Sequence, residues 1–113
     1  MPSRLRKTPL PGRPVKGSKT GRPIMAALDL LGRRWALRIV WELRDGPVGF
    51  RAMQARCDGM SPSVLSTRLK ELHEARLIEP TEDQQWQLTA LGTDLNQTIA
   101  PLNDWSEGWK DAF

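Results

Sequence analysis

A three-residue turn, Asp58 to Met60, constrains the fold of this 113-residue chain more than any other feature. Its central Gly59 is free to take the positive φ that a tight turn needs. Apolar residues recur at helical spacing on both sides of the turn: Phe50, Met53 and Cys57 before it, and Leu65, Leu69 and Leu72 after it. We therefore predict two helices joined by a short glycine turn, which is the helix-turn-helix motif.

Local signals indicate where the helices near this motif begin and end. The first helix of the pair is predicted over residues 50–57, and Ser61 and Pro62 suit the N-cap and the first position of the second. Upstream, Pro23 opens a very apolar helix that ends at Gly32. Apolar side chains surround most of residues 33–44, so this segment is predicted to be a central buried helix. A break at 45–47 and a short strand at 48–50 follow.

Two short strands and a long amphipathic segment are predicted after the helix pair. Residues 77–79 and 86–88 suit the strands of a small hairpin, or wing, with residues 80–85 connecting them. Thr89 is expected to cap a last helical segment, in which Pro101 predicts a kink or a break. Apolar residues form a stripe along one face of that segment: Leu91, Leu95, Ile99, Leu102, Trp105, Trp109 and Phe113. The predicted fold is mainly α with a β-hairpin wing, in one domain over residues 23–113.

Charge is distributed unevenly along the chain, whose net charge is +4. Residues 1–22 carry seven bases and no acid, whereas residues 77–113 carry one base and seven acids. A basic chain favours polyanionic partners, and the C-terminal third is not expected to contact phosphate. Residues 1–22 are rich in Pro, Gly and Ser and are predicted to be a flexible basic arm. The arm is either a solvated linker or a segment that enters the minor groove of DNA.

The second helix of the pair carries the candidate residues for reading DNA. With its leucines inward, Ser63, Ser66, Thr67 and Lys70 face outward. Small hydroxyls let a helix approach base edges closely, and a lysine can reach a phosphate or a guanine. Arg68 lies at the edge of the apolar stripe, where it either contacts a phosphate or shields the core with its stem.

On the first helix of the pair, Arg51, Gln54 and Arg56 face away from the apolar side. They suit contacts with phosphates beside the groove, and the alternative is a solvated charged face.

Catalytic and metal sites are not expected. His73 is the only histidine, so neither a His-based metal cluster nor a catalytic dyad is easy to build, and it is predicted to lie at the surface. Cys57 is the only cysteine and lies on an apolar face, which indicates a small core residue. A single thiol also suits a reducing compartment, so a cytoplasmic location is expected. No cofactor or metal is predicted. No membrane contact is predicted either, because no apolar run approaches the length of a membrane helix.

The apolar first helix and the terminal stripe together expose too much apolar surface for a monomer of this size. A two-fold dimer would bury both and place two reading helices about one DNA turn apart. Trp105, Trp109 and Phe113 alternatively form the walls of a site for a small hydrophobic molecule.

Four runs of residues resemble the HxlR-type winged-helix regulators, relatives of the MarR group. They are Leu-Asp-Leu-Leu-Gly-Arg-Arg-Trp at 28–35, Leu-Arg-Asp-Gly-Pro at 43–47 with Phe50, Met-Ser-Pro-Ser-Val-Leu-Ser-Thr-Arg-Leu-Lys-Glu-Leu at 60–72, and Leu-Thr-Ala-Leu-Gly at 88–92. The resemblance spans about residues 23–110. It implies a dimeric, bacterial-type transcription regulator that dimerises through its N- and C-terminal helices and binds double-stranded DNA.

Three departures from the family pattern are visible. Arg22 stands where many members carry a reactive cysteine, which excludes thiol sensing at that position. The short wing bears Glu82 and Asp83 in place of the usual basic residue, so phosphate contact by the wing is not expected. Arg76 stands where a glycine is usual, so the preceding helix is expected to end differently.

The predicted function is therefore sequence-specific transcription regulation by a homodimer on a pseudo-palindromic operator. Two alternatives remain open. The first is a regulator that responds to a small hydrophobic molecule bound near the dimer interface. The second is a winged helix that is used only for protein contacts.

Overall fold

The computed structural model describes residues 8–15 and 21–113. In these segments the chain forms five helices and a two-stranded antiparallel sheet. The helices are α1 (Pro23–Leu31), α2 (Ala36–Glu42), α3 (Phe50–Arg56), α4 (Pro62–Glu74) and α5 (Ala90–Lys110), and the strands are β1 (Ile78–Pro80) and β2 (Trp86–Leu88). The predicted fold class, mainly α with a small hairpin, is confirmed.

The turn between α3 and α4 has the predicted glycine conformation. Gly59 adopts φ +71°, and Asp58 before it also takes a left-handed φ of +57°. The Oγ of Ser61 accepts a hydrogen bond from the Val64 N–H at 3.2 Å, so this serine caps α4 as expected, and Pro62 is the first helical residue. The turn and the cap together fix the direction in which α4 leaves α3.

The core lies beneath the helix pair and is closed by α2. Ile39 and Val40 of α2 are fully buried, together with the apolar residues of the pair and the start of the hairpin: Met53, Cys57, Leu65, Leu69, Leu72 and Ile78. Phe50 packs against this cluster but is only partly buried. The inward faces predicted for both helices of the motif are therefore confirmed.

α2 begins three residues later than its apolar pattern predicts. Trp35 takes φ +75° at the N-cap, and Arg33 before it is buried with 8% of its surface exposed. A left-handed residue cannot continue a right-handed helix, so residues 32–35 form a turn that places Arg33 inside the protein.

Arg76 takes the conformation that glycine usually supplies at the end of α4. Its φ is +64°, its N–H donates to the His73 carbonyl at 2.9 Å, and the Leu77 N–H donates to the Leu72 carbonyl at 3.0 Å. These two bonds are those of a Schellman motif, formed here around a non-glycine residue, so the expectation that α4 ends differently without a glycine is wrong. Because the motif uses Leu77, β1 begins at Ile78, one residue later than predicted.

The hairpin pairs Ile78 with Leu88 and Pro80 with Trp86. Trp86 also exchanges two backbone hydrogen bonds with Val48, both at 2.9 Å. The strand predicted at 48–50 is thus a single bridge that ties the segment before α3 to the wing.

α5 is one continuous helix from Ala90 to Lys110, so of the predicted kink or break at Pro101 the break does not occur. Thr89 caps it as predicted, since its Oγ1 accepts a hydrogen bond from the Gly92 N–H at 3.0 Å. The first half of α5 packs on the domain through Leu95, Asn96 and Ile99. From residue 100 to 113 every residue is exposed except the half-buried Ser106.

Part of the predicted N-terminal arm contacts the domain. Thr8 and Pro9 are buried, and the Oγ1 of Thr8 donates to the Glu74 carboxylate at 2.9 Å. Residues 1–7 and 16–20, which hold five of the seven bases of the arm, lie outside the described residues. The flexibility of residues 1–22 and their contact with DNA stay predictions.

Candidate nucleic-acid interface

One side of α4 presents hydroxyls and a lysine to the surface. Ser63, Ser66 and Lys70 are exposed, as the helical spacing predicts. Thr67 is half-buried, and its hydroxyl donates to the Ser63 carbonyl at 2.9 Å. Because these side chains are small, the backbone of α4 can come close to a DNA groove, which suits contact with the edges of base pairs.

Arg68 is the candidate residue whose surroundings differ most from a free surface cation. Its side chain is 19% exposed. Its Nε donates to the Arg34 carbonyl at 2.7 Å, and its Nη1 lies 3.1 Å from the Glu71 carboxylate. Arg68 therefore holds α4 against the turn between α1 and α2, and its guanidinium is already engaged within the chain.

Glu71 is a buried acid on the same helix, which sequence reasoning did not single out. Its carboxylate pairs with Arg33 as well as with Arg68, and its side chain is only 7% exposed. The available signal was its position three residues after Arg68 and one before the inward Leu72. That position alone does not reveal that a third group, Arg33, approaches from another part of the chain.

The candidate residues of α3 have different roles. Arg51 is exposed, which leaves it available for a phosphate. The Gln54 side chain donates to the Met60 carbonyl at 2.9 Å, so it stabilises the turn between the two helices. Arg56 donates to the Glu42 carbonyl at 3.3 Å and lies 3.9 Å from the Glu42 carboxylate, although its side chain is 49% exposed.

A second cluster of charges holds α3 to α2. The Nε of Arg38 donates to the Glu42 carboxylate at 2.9 Å, and Arg38 also contacts the Arg56 carbonyl at 2.5 Å. The hydrogen bond with Glu42 raises the pKa of the Arg38 guanidinium above its ordinary value. All these groups reach the surface, so solvent screens their interactions.

The wing carries negative charge on its exposed side. Glu79, Glu82 and Asp83 are exposed. The Glu79 carboxylate accepts a hydrogen bond from Gln87 on the paired strand at 3.1 Å. His73 of α4 is exposed, as predicted, and its ring meets that of Trp86 edge-on at 5.6 Å. The wing is therefore fixed beside α4, and it adds repulsion rather than attraction toward phosphate.

Cys57 lies inside the core between α3 and the other helices. It is 0% exposed, and its Sγ lies 4.0 Å from the Met53 sulfur. Burial raises the pKa of the thiol, which disfavours the reactive thiolate. The expectation that Cys57 is a core residue is confirmed. Among the residues that the structure describes, no cluster of three or more His, Cys, Asp and Glu side chains could hold a metal ion.

An apolar cavity of about 340 Å³ lies between the N-terminal segment, α1 and α5. Pro9, Leu10 and Pro11 form one wall, and the remaining walls come mainly from Ala26, Leu30, Leu77, Leu91 and Leu95. Asp94 and Thr98 provide polar groups at its edge. The lining within the described residues includes no tryptophan, so the predicted ligand site walled by Trp105 and Trp109 is a different place. No helix in the described part of the chain is both long enough and apolar enough to cross a membrane.

A helix pair with a bare hydroxyl-bearing face, followed by a hairpin packed beside it, defines a winged helix-turn-helix protein of the DNA-binding class. The sequence profile of HxlR-like helix-turn-helix proteins matches residues 30–113, so the chain belongs to that family. The resemblance drawn from the four runs of residues is thus confirmed.

Relatives of known class agree with this assignment. YvaP of Bacillus subtilis, an uncharacterized HTH-type transcriptional regulator, is 31% identical over 91 residues, which are 75% of this chain and 84% of YvaP. The crystal structure of quinone-bound YodB from B. subtilis is similar with a TM-score of 0.64 at 30% identity, covering 80% of this chain and 96% of YodB. A possible HxlR family transcriptional factor from Thermoplasma volcanium gives a TM-score of 0.67 at 25% identity, covering 75% and 82% of the two chains. The chain is an HTH-type transcriptional regulator.

Proposed function

We propose that two copies of this chain form a symmetric dimer in the cytoplasm and bind a pseudo-palindromic DNA site, each inserting α4 into the major groove. The observation that carries the proposal is the exposed face of α4, where Ser63, Ser66 and Lys70 are uncovered while the leucines of the same helix are buried. Thr67 lies between them on the same helix face and is half-buried, with its hydroxyl donating to the Ser63 carbonyl. Lys70 and Arg51 supply phosphate or guanine contacts.

Exposed apolar surface supports the dimer. Ile24 and Leu28 on α1 are 57% and 60% exposed, and Trp105 and Trp109 on α5 are 60% and 57% exposed. The two tryptophan rings stack with their centroids 5.5 Å apart, which forms an exposed aromatic pair near the end of α5. A second copy would bury this surface by two-fold symmetry.

The test begins with selection of bound sequences from random DNA by the purified protein. The selected site is then titrated against mixed-sequence DNA over a series of salt concentrations, because phosphate contacts make affinity fall steeply with salt. A preference for one palindromic sequence is the expected result. Absence of salt-dependent DNA affinity would overturn the proposal and favour a protein-interaction module.

The variant Lys70→Ala tests the reading face directly. Lys70 is exposed, so its removal leaves the fold unchanged, and we expect the affinity for the selected site to fall about 5- to 100-fold. Lys110→Ala is the matched control, because it deletes the same exposed side chain at the far end of α5. Equal affinities of the two variants would contradict a role for Lys70.

A second function is supported by the apolar cavity beside α1. Its volume suits a small hydrophobic molecule, and the related regulator YodB has been crystallised with a quinone bound. Ala27 of α1 also lines this cavity. The expected result is that a panel of small aromatic compounds raises the melting temperature, and that Ala27→Trp, whose ring fills the cavity, abolishes the shift. Binding that persists in this variant would place the ligand elsewhere.

A further inference from the structure

Two arginine–glutamate–arginine groups hold the helix-turn-helix to the rest of the protein. In the first, which we call the buried triad, Glu71 of α4 lies between Arg33 and Arg68. In the second, the exposed triad, Glu42 of α2 lies between Arg38 and Arg56. The two groups share their chemistry but differ in burial. Glu71 and Arg33 have side chains that are 7% and 5% exposed, whereas Arg38 and Arg56 are 41% and 49% exposed.

The buried triad is an expensive way to stabilise a fold. Removing charges from water costs free energy that their mutual attraction often fails to recover, and well-packed apolar residues of similar size usually stabilise as much or more. Leu65, Leu69 and Leu72 already provide apolar packing for α4. Stability alone therefore gives a weak reason for three charges at this contact.

The buried triad makes directional hydrogen bonds, which the leucines of α4 cannot make. Each oxygen of the Glu71 carboxylate meets a different arginine, and the Nε of Arg68 donates to the Arg34 carbonyl at 2.7 Å. These bonds are directional and hold α4 about its own axis against the turn at residues 32–35, whereas apolar contacts have no preferred bond angle. A rotation of about 20° displaces side chains at the helix surface by about 2 Å, given a helix radius of roughly 5–6 Å. That displacement exceeds the tolerance of a hydrogen bond to a base edge.

We propose that Glu71 is a positioning residue for sequence recognition, which sets the rotation of α4 through Arg33 and Arg68 without contacting DNA. Arg33 follows the C-cap Gly32 of α1, whose Ile24 and Leu28 belong to the proposed dimer surface. The proposal rests on DNA recognition by α4.

The experiment compares specific with non-specific binding in three variants. The double variant Arg33→Met with Glu71→Leu replaces the buried pair by apolar side chains. The variant Arg33→Lys keeps the positive charge but loses the forked geometry of the guanidinium. The variant Glu42→Gln weakens the exposed triad and is the matched control. For each we would measure the melting temperature, the affinity for mixed-sequence DNA and the affinity for the selected site. We expect the first two variants to lose at least tenfold in the ratio of specific to non-specific affinity, with non-specific affinity and salt dependence unchanged. The control should keep the wild-type ratio.

Three outcomes separate this inference from the proposed function. If the wild-type protein shows no sequence preference, the proposed function fails. If it shows a preference that every folded variant at Arg33 retains, only the positioning role of Glu71 is overturned. An equal loss of the ratio in Glu42→Gln would also overturn it, because the effect would then belong to any charge near α2. Should the double variant fail to fold, Arg33→Lys decides the question.

Discussion

Replacing both exposed tryptophans of α5 by alanine should convert the proposed dimer into a monomer. Trp105 and Trp109 are 60% and 57% exposed, which corresponds to roughly 290 Å² of aromatic surface, given about 250 Å² for a full side chain. If a partner covers half of this surface in each subunit, the dimer removes about 290 Å² from water, worth about 7 kcal/mol at roughly 25 cal/mol per Å². Since about 1.4 kcal/mol is a tenfold change, the dissociation constant should rise by about 10⁴- to 10⁵-fold.

Sedimentation velocity over a wide concentration range measures this change. Far-UV circular dichroism shows whether the variant keeps its helices, because the end of α5 has few other contacts. Glu107→Ala on the opposite face of the helix is the control and should dimerise as the wild type does. A folded double variant with the wild-type dissociation constant would refute the reasoning and place the interface away from these rings.

Four further predictions concern the wing, the buried thiol, the end of α4 and the arm. Glu82→Lys with Asp83→Lys should raise DNA affinity and steepen the salt dependence by about 0.9 for each phosphate gained, and an unchanged slope would mean that the wing lies away from the backbone. Burial raises the pKa of the Cys57 thiol in the folded protein. The stability that the neutral thiol contributes is therefore fully present below its unfolded pKa of about 8.5, and is lost as the pH rises through the higher pKa of the folded state. The sequence has no tyrosine, so Cys57→Ala should visibly flatten the fall in denaturant midpoint from neutral to alkaline pH, and an identical fall would contradict this. Arg76→Gly should stabilise the protein by about 0.5–1 kcal/mol, since glycine takes a left-handed φ without steric cost, and a lower melting temperature would count against the Schellman ending of α4. Deleting residues 1–7 removes three bases and should lower affinity and salt dependence without changing the preferred sequence, whereas an unchanged titration curve would make the arm a passive linker.

Local signals were enough to predict most of the helices and the hairpin. The cap at Ser61, the proline at the start of α4 and the positive φ at Gly59 each follow from the chemistry of one or two residues. The late start of α2 could not be predicted in this way. Its turn depends on Trp35 holding a left-handed φ so that Arg33 can reach Glu71, which is 38 positions further along the chain.

Pro101 is a position where a local sequence signal predicts a helix break that the structure does not show. A proline removes one helical hydrogen bond and crowds the preceding turn, which predicts a break when the sequence is read locally. α5 nevertheless continues through Pro101 to Lys110. The predicted apolar stripe therefore stays on one helix, on which Trp105 and Trp109 are exposed.

Counting bases overestimates how many of them can meet a phosphate. Residues 23–76 carry nine bases, yet Arg33, Arg38 and Arg68 direct their guanidinium groups toward glutamates or backbone carbonyls of the same chain, and Arg56 does so in part. Sequence periodicity places such a residue on a helix face but does not show whether an acid from a distant part of the chain pairs with it there. In the proposed DNA complex, the electrostatic part of the affinity is therefore left to the cations that stay exposed, such as Arg51 and Lys70. On the positioning role that we propose for Glu71, the choice of sequence then depends on how accurately Arg33 and Arg68 hold the reading helix.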